Sequence, residues 1–418
     1  MKQLHIMTIL RTGLISLILT TALQSFGQAL PAELPDANQA QLAIEQDPAV
    51  VQARHALEAS RHSAAMIAAG PYEWTVGGNA QRRRTKGESG SNEWTVQIER
   101  PIRWGGKADL DRRLGQSTEE LARAQLGKAR IEAAETLLQT WLDWQAAQNT
   151  RAALEDQVWL AEENQRTVDL RRKAGDASRL ESNVARADLV EARRQVAEAA
   201  TAEAKALAAL QVRYPTLPAQ ARSQPDPAPL ELGEDQWRQR ATADHPSLVA
   251  ARQAVVRAEL AAERVRAERT PDPTVGMFVS SEARRSERIV GLSVSIPIGG
   301  TYRQQAALES LRQVDVARAG FERQQRELEL QVATRFREAI GNFDRWKLAV
   351  DAAKAVQETT QLSQKAYAAG ELDVQALLLT RRQALEAVRA VQSTRMDALR
   401  ARYQLLLDTG ALWQQATR

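Results

Sequence analysis

The strongest constraint on this chain is that it is written twice. "DPAVVQARHALEASRHSA" from Asp47 returns as "HPSLVAARQAVVRAELAA" from His245, about 198 residues later. "ERPIRWGGKADL" at 99–110 returns as "SIPIGGTYRQQA" at 295–306, carrying Pro101 to Pro297. "RKAGD" around Gly175 is answered by "YAAGE" around Gly370. Three landmarks in one order at nearly one offset mean a duplicated unit, so whatever one half builds, the other builds again. Between the halves lies "YPTLPAQARSQPDPAPLEL" (214–232), whose five prolines rule out a continuous helix and mark a linker. The first repeat is therefore 30–213 and the second 233–418.

Each half reads helix, strand, strand, very long helix, tight turn, long helix. Asp47 and Pro48 restart the opening helix, since Asp caps and Pro is tolerated in a first turn. From Lys107 to Ala174 there is no proline, and Leu110, Leu114, Leu121, Ala124, Ile131, Leu138 and Leu142 recur at the spacing of a helical seam. An uninterrupted helix of that span is about 100 Å long, too long to pack inside an ordinary globular domain. The second half has the same span from Tyr302 to Ala369, and the helix tips fall near Gly175 and Gly370.

The strands, expected at about 73–81, 93–100, 273–281 and 289–297, alternate strictly. Trp94, Val96 and Ile98 oppose Glu93, Thr95, Gln97 and Glu99; Val290, Leu292, Val294 and Ile296 oppose Gly291, Ser293 and Ser295. Period two with one apolar and one polar face is the pattern of a strand between oil and water. It also suits a sheet over a soluble core, but the loops "QRRRTKGESGSN" and "SEARRSER" are highly polar and the chain carries an export signal. That signal is 1–29: Lys2 and Arg11, an apolar run from Leu14 to Leu23, and small residues up to Ala29, where cleavage is expected. Four strands cannot close a useful barrel, and an open edge is forbidden in lipid. Several chains must then share one barrel, and three give twelve strands. Pro101 and Pro297 end membrane strands, while the pairs Gly105 with Gly106 and Gly299 with Gly300 bend the chain from barrel wall into helical wall. Arg82, Arg83, Arg84 and Lys86 fall on the outward-facing loop, where they can meet anionic lipid head groups or simply keep the loop soluble.

On these residues the chain resembles the TolC-like outer membrane efflux protein family, across essentially the whole mature length. Its short termini and compact linker resemble the CzcC-like heavy-metal-efflux branch. The resemblance implies a mainly α fold with a small β part: a trimeric channel-tunnel with a shared 12-stranded transmembrane β-barrel and a long α-helical periplasmic barrel. It further implies passive conduction in the outer membrane, with the far end docked to a periplasmic adaptor and an inner-membrane pump. By the family pattern the docking residues are Gly175, Asp176, Glu181, Ala185 and Arg186 at the first tip and Gly370, Glu371 and Asp373 at the second. The constricting carboxylates of the family fall on Ala376 and Leu379, so an acidic gate is not carried over.

Several chemistries find no support. There is no cysteine, hence no disulfide, thiolate site or lipidated N-terminus. His55 and His62 stand seven apart, which does not chelate as an i, i+4 pair does. "GGKA" at 105–108 lacks the first glycine and the final Ser or Thr of a phosphate loop. Basic residues number 56 and acidic 52, interspersed, which gives no nucleic-acid face. No catalytic residue, metal ligand or cofactor is expected, and the chain is read as no enzyme. A periplasmic adaptor or an exported coiled-coil scaffold is the rival reading. The first needs one hairpin flanked by β-rich segments, and the second needs no patterned strands at equivalent points of a repeat.

Overall fold

The computed structural model of the chain describes residues 33–84, 86–87, 89–220 and 225–413. The expected signal segment lies outside them. The first repeat runs α1 (Ala37–Gln46), α2 (Pro48–Ala69), β1 (Thr75–Arg83), β2 (Ser91–Pro101), α3 (Lys107–Ala174) and α4 (Arg179–Arg213). The second runs α5 (Glu234–Ala243), α6 (Pro246–Ala267), β3 (Thr274–Glu282), β4 (Glu287–Ser295), α7 (Thr301–Ala368) and α8 (Val374–Asp408), with a single 3-10 turn at Ala283–Arg285. The helices are 10, 22, 68 and 35 residues long in each repeat, in that order.

Local chemistry places the breaks. The Asp47 side chain accepts the Ala49 N–H at 2.9 Å with Pro48 in the first turn of α2, and His245 Nδ1 accepts the Ser247 N–H at 3.3 Å ahead of Pro246 in α6. Each pairing satisfies one N–H that a helix start leaves open. β4 stops two residues short of the expected end, because its partner β3 begins at Thr274, opposite Ser295, and Pro273 precedes it.

α3 packs along α4, α7 along α8, and α2 and α6 lie against the upper part of α3. The core sits midway along the long helices, where the short helices, the linker and the C-terminal segment wrap them. Leu137, Leu138, Trp141 and Leu142 of α3 are fully buried there against α1, α4 and the end of α8. Trp141 Nε1 donates to Glu33 O at 2.9 Å, and Trp413 Nε1 to Pro35 O at 3.1 Å, so both ends of the described chain are tied into one core. A second core gathers Trp237, Leu328, Val332, Phe336 and Leu405. Beside it Arg335 of α7 is bound to Asp408 of α8 and, at 2.9 Å, to Glu135 of α3. Burial pushes the Asp408 carboxyl up to about 6 despite Arg335, and its Oδ2 has no partner. Among the described residues no helix is long and apolar enough to cross a membrane.

Candidate functional site

The four strands form one antiparallel sheet in the order β1-β2-β3-β4, so the two repeats join at β2 and β3. In its register Val76 faces Ile98, Ile98 faces Met277 and Met277 faces Leu292; one step along, Val96 faces Val279 and Val279 faces Val290. Alternation therefore gathers these side chains with Trp94, Val275 and Val294 on one continuous apolar face. Among the described residues nothing covers it: Leu292 is 83 % exposed and Val290 71 %. The opposite face carries Thr75, Asn79, Gln81, Glu93, Thr95, Gln97, Glu99, Ser280, Ser293 and Ser295, with Phe278 and Ile289 as its apolar exceptions. β1 and β4 each pair on one side only, so both edges of the sheet are unpaired among the described residues.

The basic residues expected on the loop divide. Arg82 and Arg83 belong to β1 rather than to the loop, while Arg84 and Lys86 follow the strand. Arg83 lies on the polar face and bridges Glu93 at 3.1 Å and Glu282 at 3.4 Å, which removes it from any lipid-facing role. Arg82 is exposed on the apolar side, near the loop.

At the first strand-to-helix corner, Pro101 is the last residue of β2, and Gly105 and Gly106 both turn left-handed, at φ 71° and 78°. That conformation costs a side chain with a Cβ roughly 1–2 kcal/mol, which is why glycine serves here. The second corner differs from the expected bend. Pro297 lies beyond β4, Gly300 is extended at φ −142°, and neither Gly299 nor Gly300 turns left-handed. Sequence reading missed the charged clasp beneath the first corner. Lys107, only 1 % exposed, donates to Thr270 O at 2.8 Å, Asp272 Oδ1 at 2.9 Å and Glu268 Oε2 at 3.4 Å. Asp272 also accepts the Trp104 N–H and the Tyr72 hydroxyl, both at 2.9 Å. Burial works to raise the Asp272 carboxyl, yet hydrogen bonds from Lys107, Trp104 and Tyr72 outweigh it and hold the group below its ordinary value. Burial and the bond to Asp272 push the Tyr72 phenol up to about 12. Arg103 and Arg264 share Asp111 on the next turn of α3. The clasp locks the first repeat's strand end to the second repeat's α6–β3 junction.

The two tips, at the far end of the long helices, share one backbone design. Gly175 (φ 88°) and Gly370 (φ 80°) stand just past α3 and α7, and the following N–H groups, of Asp176 and Glu371, return to Arg171 O and Ala366 O at 2.9 Å each. This is the 6→1 closure of a Schellman turn. Ser178 and Glu181 cap each other: the Ser178 hydroxyl accepts the Glu181 N–H at 3.1 Å, and Glu181 Oε2 accepts the Ser178 N–H at 2.6 Å. Asp373 caps α8 through the Ala376 N–H at 2.7 Å. Ala185 is fully buried, whereas Asp176, Arg186, Glu371 and Asp373 are exposed. Arg171 lies 5.0 Å over the Tyr367 ring, which sets the two tips side by side. The sequence signal for the first cap was present as Ser-x-x-Glu at 178–181. Among the described residues no group of three or more His, Cys, Asp or Glu could hold a metal ion, and His55 and His62 are exposed on α2.

Comparison with known proteins follows this geometry. The family described as outer membrane efflux protein matches residues 40–212, the first repeat. A search of curated protein sequences returns no match. Among solved structures, the outer-membrane channel OprN superposes with a TM-score of 0.77 at 16 % identity, covering 90 % of each chain. The CmeC outer membrane channel of Campylobacter jejuni gives 0.70 at 15 % identity, covering 91 % of this chain and 86 % of its own. The open MtrE outer membrane channel of Neisseria gonorrhoeae gives 0.69 at 18 % identity, covering 93 % and 91 %. The family described as outer membrane efflux protein is thus matched over the first repeat, and over its length the chain has the fold of these solved outer-membrane channels.

Proposed function

We propose that three copies of this chain close their sheets edge to edge into one twelve-stranded barrel in the outer membrane, with their helical hairpins continuing as a tunnel through the periplasm. The observation that carries this reading is the sheet: an uncovered apolar face four strands wide, bounded by two unpaired edges. In hydrocarbon each unpaired backbone group costs several kcal/mol. Laying β1 of one copy against β4 of the next removes every edge and leaves the polar face lining the lumen. Three is the copy number of the family, and twelve strands is an even number within the range of such barrels.

The duct is the exit of a tripartite efflux system and does no catalysis. Cleavage near Ala29 delivers the mature chain, whose two repeats, 30–213 and 233–418, are joined by the linker at 214–232. The tips at Gly175 and Gly370 dock a periplasmic adaptor and its inner-membrane pump, with the exposed Asp176, Arg186, Glu371 and Asp373 as the available charges. Glu181 and Ala185 support that surface from within, as cap and buried contact. Arg82, Arg84 and Lys86 meet anionic head groups of outer-membrane lipid. The cargo is the divalent heavy-metal cation of the CzcC-like branch, taken up as cargo and not as a resident ion.

Heat-modifiable gel migration with crosslinking of purified outer membranes tests the assembly. A trimer in that fraction is expected; a soluble periplasmic monomer overturns the channel and returns the sheet to an ordinary soluble one. Loss of tolerance to divalent metals in a deletion strain, with tolerance to organic dyes unchanged, is expected for the cargo. The opposite pattern overturns the metal assignment alone.

A further inference from the structure

Below the core, α3, α4, α7 and α8 line a half-open cavity of about 420 Å³. Its apolar lining is set by small residues of α3 and α8 together with Leu160, Leu385 and Val388. Into this lining comes Arg381 of α8. Its Nε and Nη1 are buried and, among the described residues, have no hydrogen-bond partner. A guanidinium removed from water without an acceptor is costly, and burial holds Arg381 below its ordinary pKa against the fields of Asp188 and Tyr367. Asp188 lines the cavity from α4 but forms no ion pair with Arg381. Its own carboxyl is raised by burial, with Arg382 and Arg381 opposing. Asp156 and Arg382 also line the wall, so its formal charges balance while Arg381 stays unpaired. Gln157, one of four amides in that lining, has a buried Oε1 with no donor.

We infer that this cavity is a binding site for an organic carboxylate with a compact apolar body, its carboxylate on Arg381 and its body between the hairpins. The volume lies within the range of small-molecule pockets, and a carboxylate is the counter-charge with which a guanidinium makes its stronger hydrogen bonds, here through Nη2. Protonation of Asp188 removes the like charge facing such a ligand, so binding tightens as the pH falls. The lining residues named here all come from one chain. A ligand held here ties the two hairpins of one chain together.

The test titrates the full-length protein, purified in an uncharged detergent, with 1-naphthoate and with its neutral amide, by calorimetry at two pH values. The expected result is one saturable naphthoate per chain, bound at least tenfold more tightly than the amide and more tightly at the lower pH. Arg381→Met, which keeps the side-chain length and removes the charge, is expected to abolish the preference for the acid. Val388→Phe, which fills the cavity and leaves Arg381 in place, is expected to weaken acid and amide together. It also serves as the test variant should Arg381→Met fail to fold. Equal binding of acid and amide, binding unchanged in both variants, or no saturable binding overturns the site.

Discussion

The two strand-to-helix corners occupy the same place in a duplicated fold and are built in opposite ways. The first turns on two left-handed glycines and is sealed by a buried lysine held by three acceptors. The second has no left-handed residue; Arg303 of α7 ties it to Glu268 through the backbone carbonyl and, at 3.4 Å, the carboxylate, while Ile298 is 98 % exposed and Tyr302 86 %. Helix lengths are copied without change while the joints are not. Under the proposed assembly, length fixes where the membrane zone and the tips fall, so both repeats must keep it. A joint has only to be completed by something, and the first is completed within the chain. Under the proposed assembly the second is left for a neighbouring copy to cover.

Four measurements break or sharpen that contrast. The largest effect is expected from Lys107→Met, which leaves Asp272 without its cation, while Glu268 keeps Arg264 and Arg303. Thermal unfolding of the solubilised protein should show a loss of about 3–5 kcal/mol. Thr301→Ala, at the matching first position of α7, should stay within about 0.5 kcal/mol. Equal losses at the two positions would erase the distinction between the corners. Next comes Gly106→Ala, expected to cost about 1–2 kcal/mol for its left-handed backbone, against almost nothing for the extended Gly300→Ala.

A third test leaves the corners for the core, where only the second repeat carries the pair of Arg335 and Asp408. Asp408 is pushed up to about 6 in the fold, from an ordinary 3.8, so it holds its proton more tightly folded than unfolded. Its favourable contribution is full below the unfolded value and is lost as the pH rises through about 6. Wild type should therefore gain about 1 kcal/mol on Asp408→Asn between about pH 7 and pH 5. The comparison cancels His245, which burial holds low and which titrates with the opposite sign in both proteins. A difference independent of pH would sink this assignment. The smallest effect belongs to the tips. Ser178→Ala should loosen the first turn of α4 by about 1 kcal/mol, read by hydrogen exchange, and slightly more than Asp373→Ala loosens α8, because only Ser178 shares a reciprocal cap. Glu181→Gln keeps that cap, so lost adaptor capture with unchanged exchange assigns Glu181 to docking, and retained capture leaves it a cap alone.

What was legible in the sequence was local. Alternation at 93–99 gives the faces of β2 because side chains on a strand follow period two, and Gly175 marks a tip because few other residues take its backbone. The clasp was not legible: Lys107 and Asp272 are 165 residues apart in a chain with 56 basic and 52 acidic residues, and nothing local singles out that pair. Arg83 was misread for a related reason. Its neighbours in sequence are basic, but its partners Glu93 and Glu282 arrive only through the register of three strands.

The bare apolar face of the sheet has a consequence in time as well as in space. Under the proposed assembly, a chain bound for the outer membrane crosses an aqueous compartment before its sheet finds two others, carrying an oily surface and two pairing-competent edges all the way. Correct closure depends steeply on concentration, since three chains must meet, whereas edge-to-edge capture by any exposed strand needs only one encounter. In that assembly the chain is most vulnerable when it is scarce and newly exported, and a binder that shields the face of Val290 and Leu292 should raise the yield of trimer without altering its final stability.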